Sequence, residues 1–186
     1  RLLDELEKKN LLESTIVIYT SDHGDYAGAH GLWTKGLPCF DEGYRVPLMI
    51  GGNVINPKRS CDSLVSLADF APTILDLAGI SIERKMAGKS LVPFLKDVEP
   101  VNWRREIYSQ SNGNEVYGIQ RAVWNKKWKF VFNTFDYDEL YDLENDPNEI
   151  INVARIPEND TIIKEMYNKL WTFAYENSDN CVNPYI

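Results

Sequence analysis

Two side chains that often hold metal ions, Asp22 and His23, sit side by side in the segment Ser21-Asp22-His23-Gly24-Asp25. Aspartate offers a hard oxygen and histidine a nitrogen, a mixed pair suited to calcium, zinc, manganese or iron. On an extended strand, neighbouring side chains point to opposite faces, so the two converge on one ion only where the chain turns. The same pair also reads as a turn-capping aspartate beside a hydrogen-bonded loop histidine. The sequence has only two histidines, His23 and His30, and Lys35 follows in the same loop between Trp33 and Gly36. A metal, a histidine and a lysine around one pocket suit a reaction on an anionic group. The metal and the lysine neutralise oxygen charge while a histidine moves a proton. The ordinary fate of a lysine is a solvated surface position, and that remains the other reading of Lys35. His30 either contacts a substrate or donates a proton to a leaving group, or else it holds the Gly28–Gly31 loop by hydrogen bonding.

The flanking elements place this cluster. Leu2, Leu3, Leu6 and Leu12 mark one face of an amphipathic helix that should end near Asn10. Thr15-Ile16-Val17-Ile18-Tyr19-Thr20 is a β-branched and aromatic run, which predicts a strand buried on both faces. Helix then buried strand is a unit of a parallel α/β sheet, and ligands of such sheets bind beyond the carboxyl ends of the strands, where Asp22 and His23 lie. A second buried strand is predicted over Arg45-Val46-Pro47-Leu48-Met49-Ile50, ending at Gly51-Gly52. Asp69 is placed to cap a helix with Pro72 in its first turn and Gly79 as its stop. Past Asp97 the pattern changes. Residues 105–109 and 127–132 alternate polar with apolar, as half-exposed antiparallel strands do. Glu139-Leu140-Tyr141-Asp142-Leu143 predicts a third short strand, closed by the turn residues Asn145-Asp146-Pro147-Asn148. Asp160 can cap a last helix through Ile163, Met166, Tyr167, Leu170 and Phe173. Trp124, Trp128, Tyr137 and Tyr141 read as core aromatics rather than a sugar platform. The expectation is an α/β part over residues 1–98 and an α+β subdomain over 99–186.

Composition narrows the function classes. The chain carries 20 basic and 28 acidic residues, net −8, so it lacks the clustered positive charge that nucleic-acid binding requires. The charge is uneven: residues 1–98 are net −2 and residues 99–186 net −6, which leaves the first part able to receive an anion. Three scattered cysteines, Cys39, Cys61 and Cys181, form neither a disulfide framework nor a CxxC metal site. No apolar run approaches the ~18 residues of a membrane span. The first residues, Arg1-Leu2-Leu3-Asp4-Glu5-Leu6, are already in helical rhythm with no initiator Met, as expected of part of a longer protein.

Thr20-Ser21-Asp22-His23-Gly24-Asp25 with Gly28-Ala29-His30-Gly31-Leu32-Trp33-Thr34-Lys35-Gly36 closely resembles the metal-and-lysine loop of type I sulfatases, members of the alkaline phosphatase-like superfamily. The resemblance continues, in order, through Phe40-Asp41-Glu42, residues 45–50, 69–79 and 86–91, and Glu139-Leu140-Tyr141-Asp142-Leu143-Glu144-Asn145-Asp146-Pro147. It implies the C-terminal part of an α/β/α sandwich followed by a small α+β subdomain with an antiparallel sheet and a C-terminal helix. It also implies that Asp22 and His23 bind one calcium ion together with upstream aspartates. Lys35 would contact a sulfate oxygen and His30 would be the second catalytic candidate. Asn112, Asn114 and Tyr117 would lie near the substrate rim. The family's nucleophile is a formylglycine made from Cys or Ser in a Cys/Ser-x-Pro-x-Arg motif, and none of the cysteines or serines here begins one. The nucleophile and the remaining calcium ligands are therefore expected in a missing N-terminal part of the same protein. These residues alone should be inactive and bind calcium weakly, because two ligands leave most of its six to eight positions to water. The substrate implied is a sulfated carbohydrate or small molecule. The alternatives are a phosphodiester or phosphonate monoester hydrolase of the same superfamily, or a non-catalytic homologue.

Overall fold

The computed structural model describes residues 1–52, 55, 60–113 and 118–179. Its elements in chain order are α1 (Leu2–Lys8), β1 (Val17–Thr20), α2 (Asp41–Tyr44), β2 (Leu48–Gly51), α3 (Phe70–Leu77), α4 (Val92–Leu95), β3 (Ile107–Ser111), β4 (Gln120–Trp124), β5 (Trp128–Asn133), β6 (Glu139–Asp142) and α5 (Asp160–Glu176). They form two compact units, residues 1–22 with 46–103 and residues 23–45 with 104–186.

In the first unit, α1 carries Asp4 and Glu5 in its first turn and Lys8 in its last, charges that oppose the helix dipole. It stops where Asn10 adopts a left-handed φ of 55°, and the Asn10 and Leu11 N–H groups donate to the Glu7 and Leu6 carbonyls. That is a Schellman ending with asparagine in the position usually held by glycine. β1 and β2 pair antiparallel, Val17 opposite Gly51 and Thr20 opposite Leu48. The parallel arrangement expected from the helix-strand order is not formed. A parallel pair needs a crossover element packed on the sheet, and between these strands lie only a single 3-10 turn at Ala29–Gly31 and the four-residue α2. Nor is β1 covered on both faces. Tyr19 and its cross-strand partner Met49 are each 60% exposed, because no described element of this unit lies over them.

The α3 start is built by Ser66 and Asp69. Ala68 N–H donates to Ser66 Oγ, and Ser66 N–H donates back to Asp69 Oδ2 at 2.8 Å. The buried Asp69 also accepts from Lys89 N–H at 2.8 Å, and Thr73 Oγ1 accepts from Leu91 N–H, so the helix start holds the 88–91 strap. Gly88 has to be glycine there, since a Cβ would fall 1.9 Å from the Ala68 carbonyl oxygen. Gly79 ends the helix with φ 69°.

The second unit is a four-stranded antiparallel meander, β3-β4-β5-β6, with α5 on one face. Val123, Phe130 and Leu140 point to α5 and pack on Met166 and Leu170. Tyr108 stacks on Phe173 with ring centroids 3.8 Å apart. The alternating residues do not face water as their polarity predicts. Ala122 and Val131 pack with Cys39, Tyr44 and Trp124, and Lys129, on the same face, is 0% exposed, while the buried Arg121 points to the α5 face opposite Phe132. Residues 23–45 cover this second face, and Lys129 is paired with Asp41 and Glu149 beneath that cover. Arg121 donates to both carboxylate oxygens of Asp179, tying the end of the helical segment to β4. Asp160 is the first residue of α5 rather than its cap. The preceding turn, 157–159, ends at Asn159, whose Nδ2 donates to the Val153 carbonyl instead. Of the four aromatics read as core, Tyr137 is 70% exposed, under the guanidinium of Arg155 at 3.7 Å. No described helix is long and apolar enough to cross a membrane.

Candidate functional site

The site residues His23, His30 and Lys35 lie on the loop of residues 23–45 in the second unit, which Tyr26 organises from within. Its ring is 2% exposed, and its hydroxyl donates to the Gly36 carbonyl at 2.8 Å and also contacts the Pro38 carbonyl. Its N–H donates to the Thr34 carbonyl at 2.9 Å. One residue thus holds the chain on both sides of Lys35. Burial pushes the Tyr26 phenol far above its ordinary value, so it remains a donor through the physiological range. Thr34 and Gly36 both have positive φ, 67° and 122°, and the turn between them presents the Lys35 side chain outward.

The Lys35 ammonium is 2.9 Å from His23 Nε2. His23 Nδ1 is 2.8 Å from the Gly24 carbonyl oxygen, which can only accept. Hydrogen bonding therefore assigns Nδ1–H as the donor and leaves the Nε2 lone pair to face Lys35. A lone pair held this way is what a metal uses when the other ring nitrogen is anchored to a carbonyl. Asp22 is the last residue of the first unit's opening segment and has an exposed carboxylate 3.4 Å from Ser21 Oγ. The donor types, one carboxylate and one imidazole nitrogen, fit part of a metal site. No group of three or more His, Cys, Asp or Glu among the described residues gathers to complete one.

His30 sits in the loop with φ 52°, its ring stacked on Phe40 at 3.6 Å and 4°. Its Nε2 lies 3.5 Å from Glu42 Oε2, and the side chain is 10% exposed. The loop is further held by Asp25 Oδ1, which accepts from Ala27 N–H at 2.7 Å. Gly24 N–H donates to the Gly43 carbonyl at 2.9 Å, and a Cβ on Gly24 would fall 1.9 Å from the Glu42 carbonyl oxygen. Arg45 lies 3.7 Å from Asp41. Asn112 is exposed just after β3, whereas Asn114 and Tyr117 fall outside the described residues. Cys39 is buried, and burial pushes its thiol up to about 11, so it is protonated and unreactive at neutral pH.

Three residues that organise the loop escape sequence reading: Tyr26, Lys129 and Glu149. Lys129 Nζ, under the loop, is 2.6 Å from Glu149 Oε1 and 3.1 Å from Asp41 Oδ1. The signal for it is a lysine inside a strand between Trp128 and Phe130. Its side chain points to the face opposite Trp128 and Phe130, so what buries it comes from elsewhere in the chain.

The chain matches the family model described as N-sulphoglucosamine sulphohydrolase, C-terminal, over residues 28–176. The chain belongs to the sulfatase family. This sulfatase chain is 38% identical over 159 residues to choline-sulfatase of Rhizobium meliloti (strain 1021), covering 84% of this chain and 30% of that one. It is 34% identical to arylsulfatase K of Xenopus laevis, covering 91% and 33%. A solved structure in complex with its substrate, D-glucosamine-2-N,6-O-disulfate, superposes with a TM-score of 0.84 at 30% identity, covering 100% of this chain and 39% of that one. The phosphonate monoester hydrolase of Agrobacterium radiobacter superposes with a TM-score of 0.85 at 26% identity, covering 95% and 38%. The sulfatase chain spans about a third of the length of the curated relatives it matches. Its mixed architecture of antiparallel sheets with a C-terminal helix is that of the alkaline phosphatase-like fold shared by these neighbours.

Proposed function

We propose that the full-length protein carrying this chain hydrolyses sulfate esters, with a sulfated carbohydrate or small molecule as substrate. The observation that carries this reading is the Lys35 ammonium, held 2.9 Å from the anchored His23 imidazole by a strap that Tyr26 pins on both sides. A cation on a pinned turn lies ready for an anionic group and stabilises charge that develops on the departing oxygen. Lys35 contacts a sulfate oxygen. His30, shielded between Phe40 and Glu42, orients the loop or supplies a proton to the leaving group. Asp22 would hold a calcium ion together with ligands from outside this chain, and His23 Nε2 would join them once the Lys35 ammonium turns from it to a sulfate oxygen. Calcium there would supply charge neutralisation and positioning for the sulfate oxygens. The nucleophile is a formylglycine elsewhere in the protein. Relatives named for choline, aryl and N-acetylglucosamine-6-O-sulfate chemistry support a sulfate ester as substrate.

A second reading, cleavage of a phosphonate monoester or phosphodiester, is favoured by the neighbouring phosphonate monoester hydrolase. The test is to assay the full-length protein with 4-nitrophenyl sulfate and 4-nitrophenyl phenylphosphonate, with and without Lys35→Ala. The sulfate should be preferred, and the variant should lose about 100-fold or more in kcat, as loss of one charged transition-state contact does. Preference for the phosphonate establishes the second reading. Hydrolysis of neither ester, nor of choline sulfate or N-acetylglucosamine 6-O-sulfate, overturns both and leaves a non-catalytic homologue.

A further inference from the structure

The buried ion cluster under the loop links β5 to the candidate catalytic groups through short, specific contacts. Lys129 is 0% exposed, its ammonium 2.6 Å from Glu149 Oε1, 3.1 Å from Asp41 Oδ1 and 5.1 Å from the centre of the Trp124 ring. Glu149 is 2% exposed, and its other oxygen accepts from Asp41 N–H at 2.9 Å. Asp41 is thus held twice, by side chain and by backbone, at the first residue of α2. The residue before it, Phe40, stacks on His30, and the residue after it, Glu42, faces His30 Nε2. Two residues on, the Gly43 carbonyl takes the Gly24 N–H, next to His23, whose Nε2 meets Lys35. A burial this complete is costly for Lys129 and Glu149, and an apolar pair would fill the space more cheaply. What the ions add is direction: a charge pair fixes one position of Asp41, where apolar packing tolerates many.

We infer that Lys129, Glu149 and Asp41 are positioning residues, a clamp that sets His30 and the His23–Lys35 pair for catalysis from the far side of the loop. The catalytic consequence rests on the sulfatase reading above; the geometric one does not. The test uses Glu149→Gln in the full-length protein, since glutamine keeps an acceptor for Asp41 N–H and removes only the charge opposite Lys129. Two measurements are made, steady-state kinetics and hydrogen exchange by peptide mass spectrometry.

Exchange should rise in residues 23–45 and stay at the wild-type level in 160–176, and kcat should fall about 10- to 100-fold with KM little changed. That range is what a misplacement of about 1 Å in reacting groups produces. Unchanged exchange in 23–45 overturns the clamp. So does a uniform rise across 23–45, 120–133 and 160–176, which is the mark of a cluster serving only the stability of the unit. A local rise with wild-type kcat overturns the catalytic consequence. If Glu149→Gln does not fold, Asp41→Asn, whose side chain is 27% exposed, takes its place; failure of both to fold overturns the proposal. If the wild-type protein cleaves none of the test esters, the functional reading fails while the exchange measurement still decides the clamp.

Discussion

At the scale of single residues, the loop depends on groups that do no chemistry themselves. Lys35 is an exposed lysine on a turn, yet both neighbouring carbonyls, Thr34 and Gly36, are taken by Tyr26. Removing the Tyr26 hydroxyl leaves the buried ring in place but releases the Pro38 carbonyl and leaves the Gly36 carbonyl only the Tyr44 hydroxyl, 3.3 Å away. Tyr26→Phe should therefore cost about 1–2 kcal/mol of stability, the usual loss for a buried hydrogen bond whose partner is left unsatisfied. Chemical denaturation reads this directly as a lower midpoint at unchanged m-value. No change in the midpoint would mean that water replaces the hydroxyl.

At the scale of elements, the segment after β6 converts a sequence motif into a placement. The Asp142 carboxylate accepts from Asn145 Nδ2 at 2.9 Å and from the Glu144 and Asn145 N–H groups, closing the turn that leads to Glu149. The side-chain bond from Asn145 is the main reason its carboxyl lies below the ordinary carboxylate value. A carboxyl lowered in the folded state contributes stability that is present above its unfolded value and lost as the pH falls through its folded one. Asp142→Asn should therefore cost less than about 1 kcal/mol at pH 7, since the group is solvent-screened. The difference between variant and wild type should vanish in acid below the carboxylate range. Thermal melts across pH 2–7 test the sign; a gap that persists in acid would place the effect in packing instead of charge.

At the scale of the whole molecule, the first unit leaves large apolar side chains in water. Leu2 is 72% exposed, Tyr19 60%, Met49 60% and Ile74 54%. Apolar surface of this kind drives association unless something covers it. Residues 1–186 produced alone should elute from size-exclusion chromatography ahead of a 21.4 kDa monomer, and more so as concentration rises. A sharp monomer peak at every concentration would show that the exposed side chains are too scattered to associate.

The sequence by itself determined what local physics controls. The Asn10 and Gly79 helix ends, the turn chemistry at 145–148 and the aromatic spacing on β5 and α5 all depend on contacts within a few residues. The ordered motifs also sufficed for the family, because a loop that binds anions and a turn that closes a hairpin each need fixed residue types at fixed spacing. Only the tertiary structure decided that β1 and β2 run antiparallel, that Tyr137 is exposed and that the polar side of β5 lies under residues 23–45. The partners responsible are far apart in the chain: Lys129 meets Asp41 across 88 residues, and Asp41 meets Glu149 across 108. Alternation along a strand tells which residues are polar. Whether they face water or a buried counter-charge depends on what the rest of the chain packs against them.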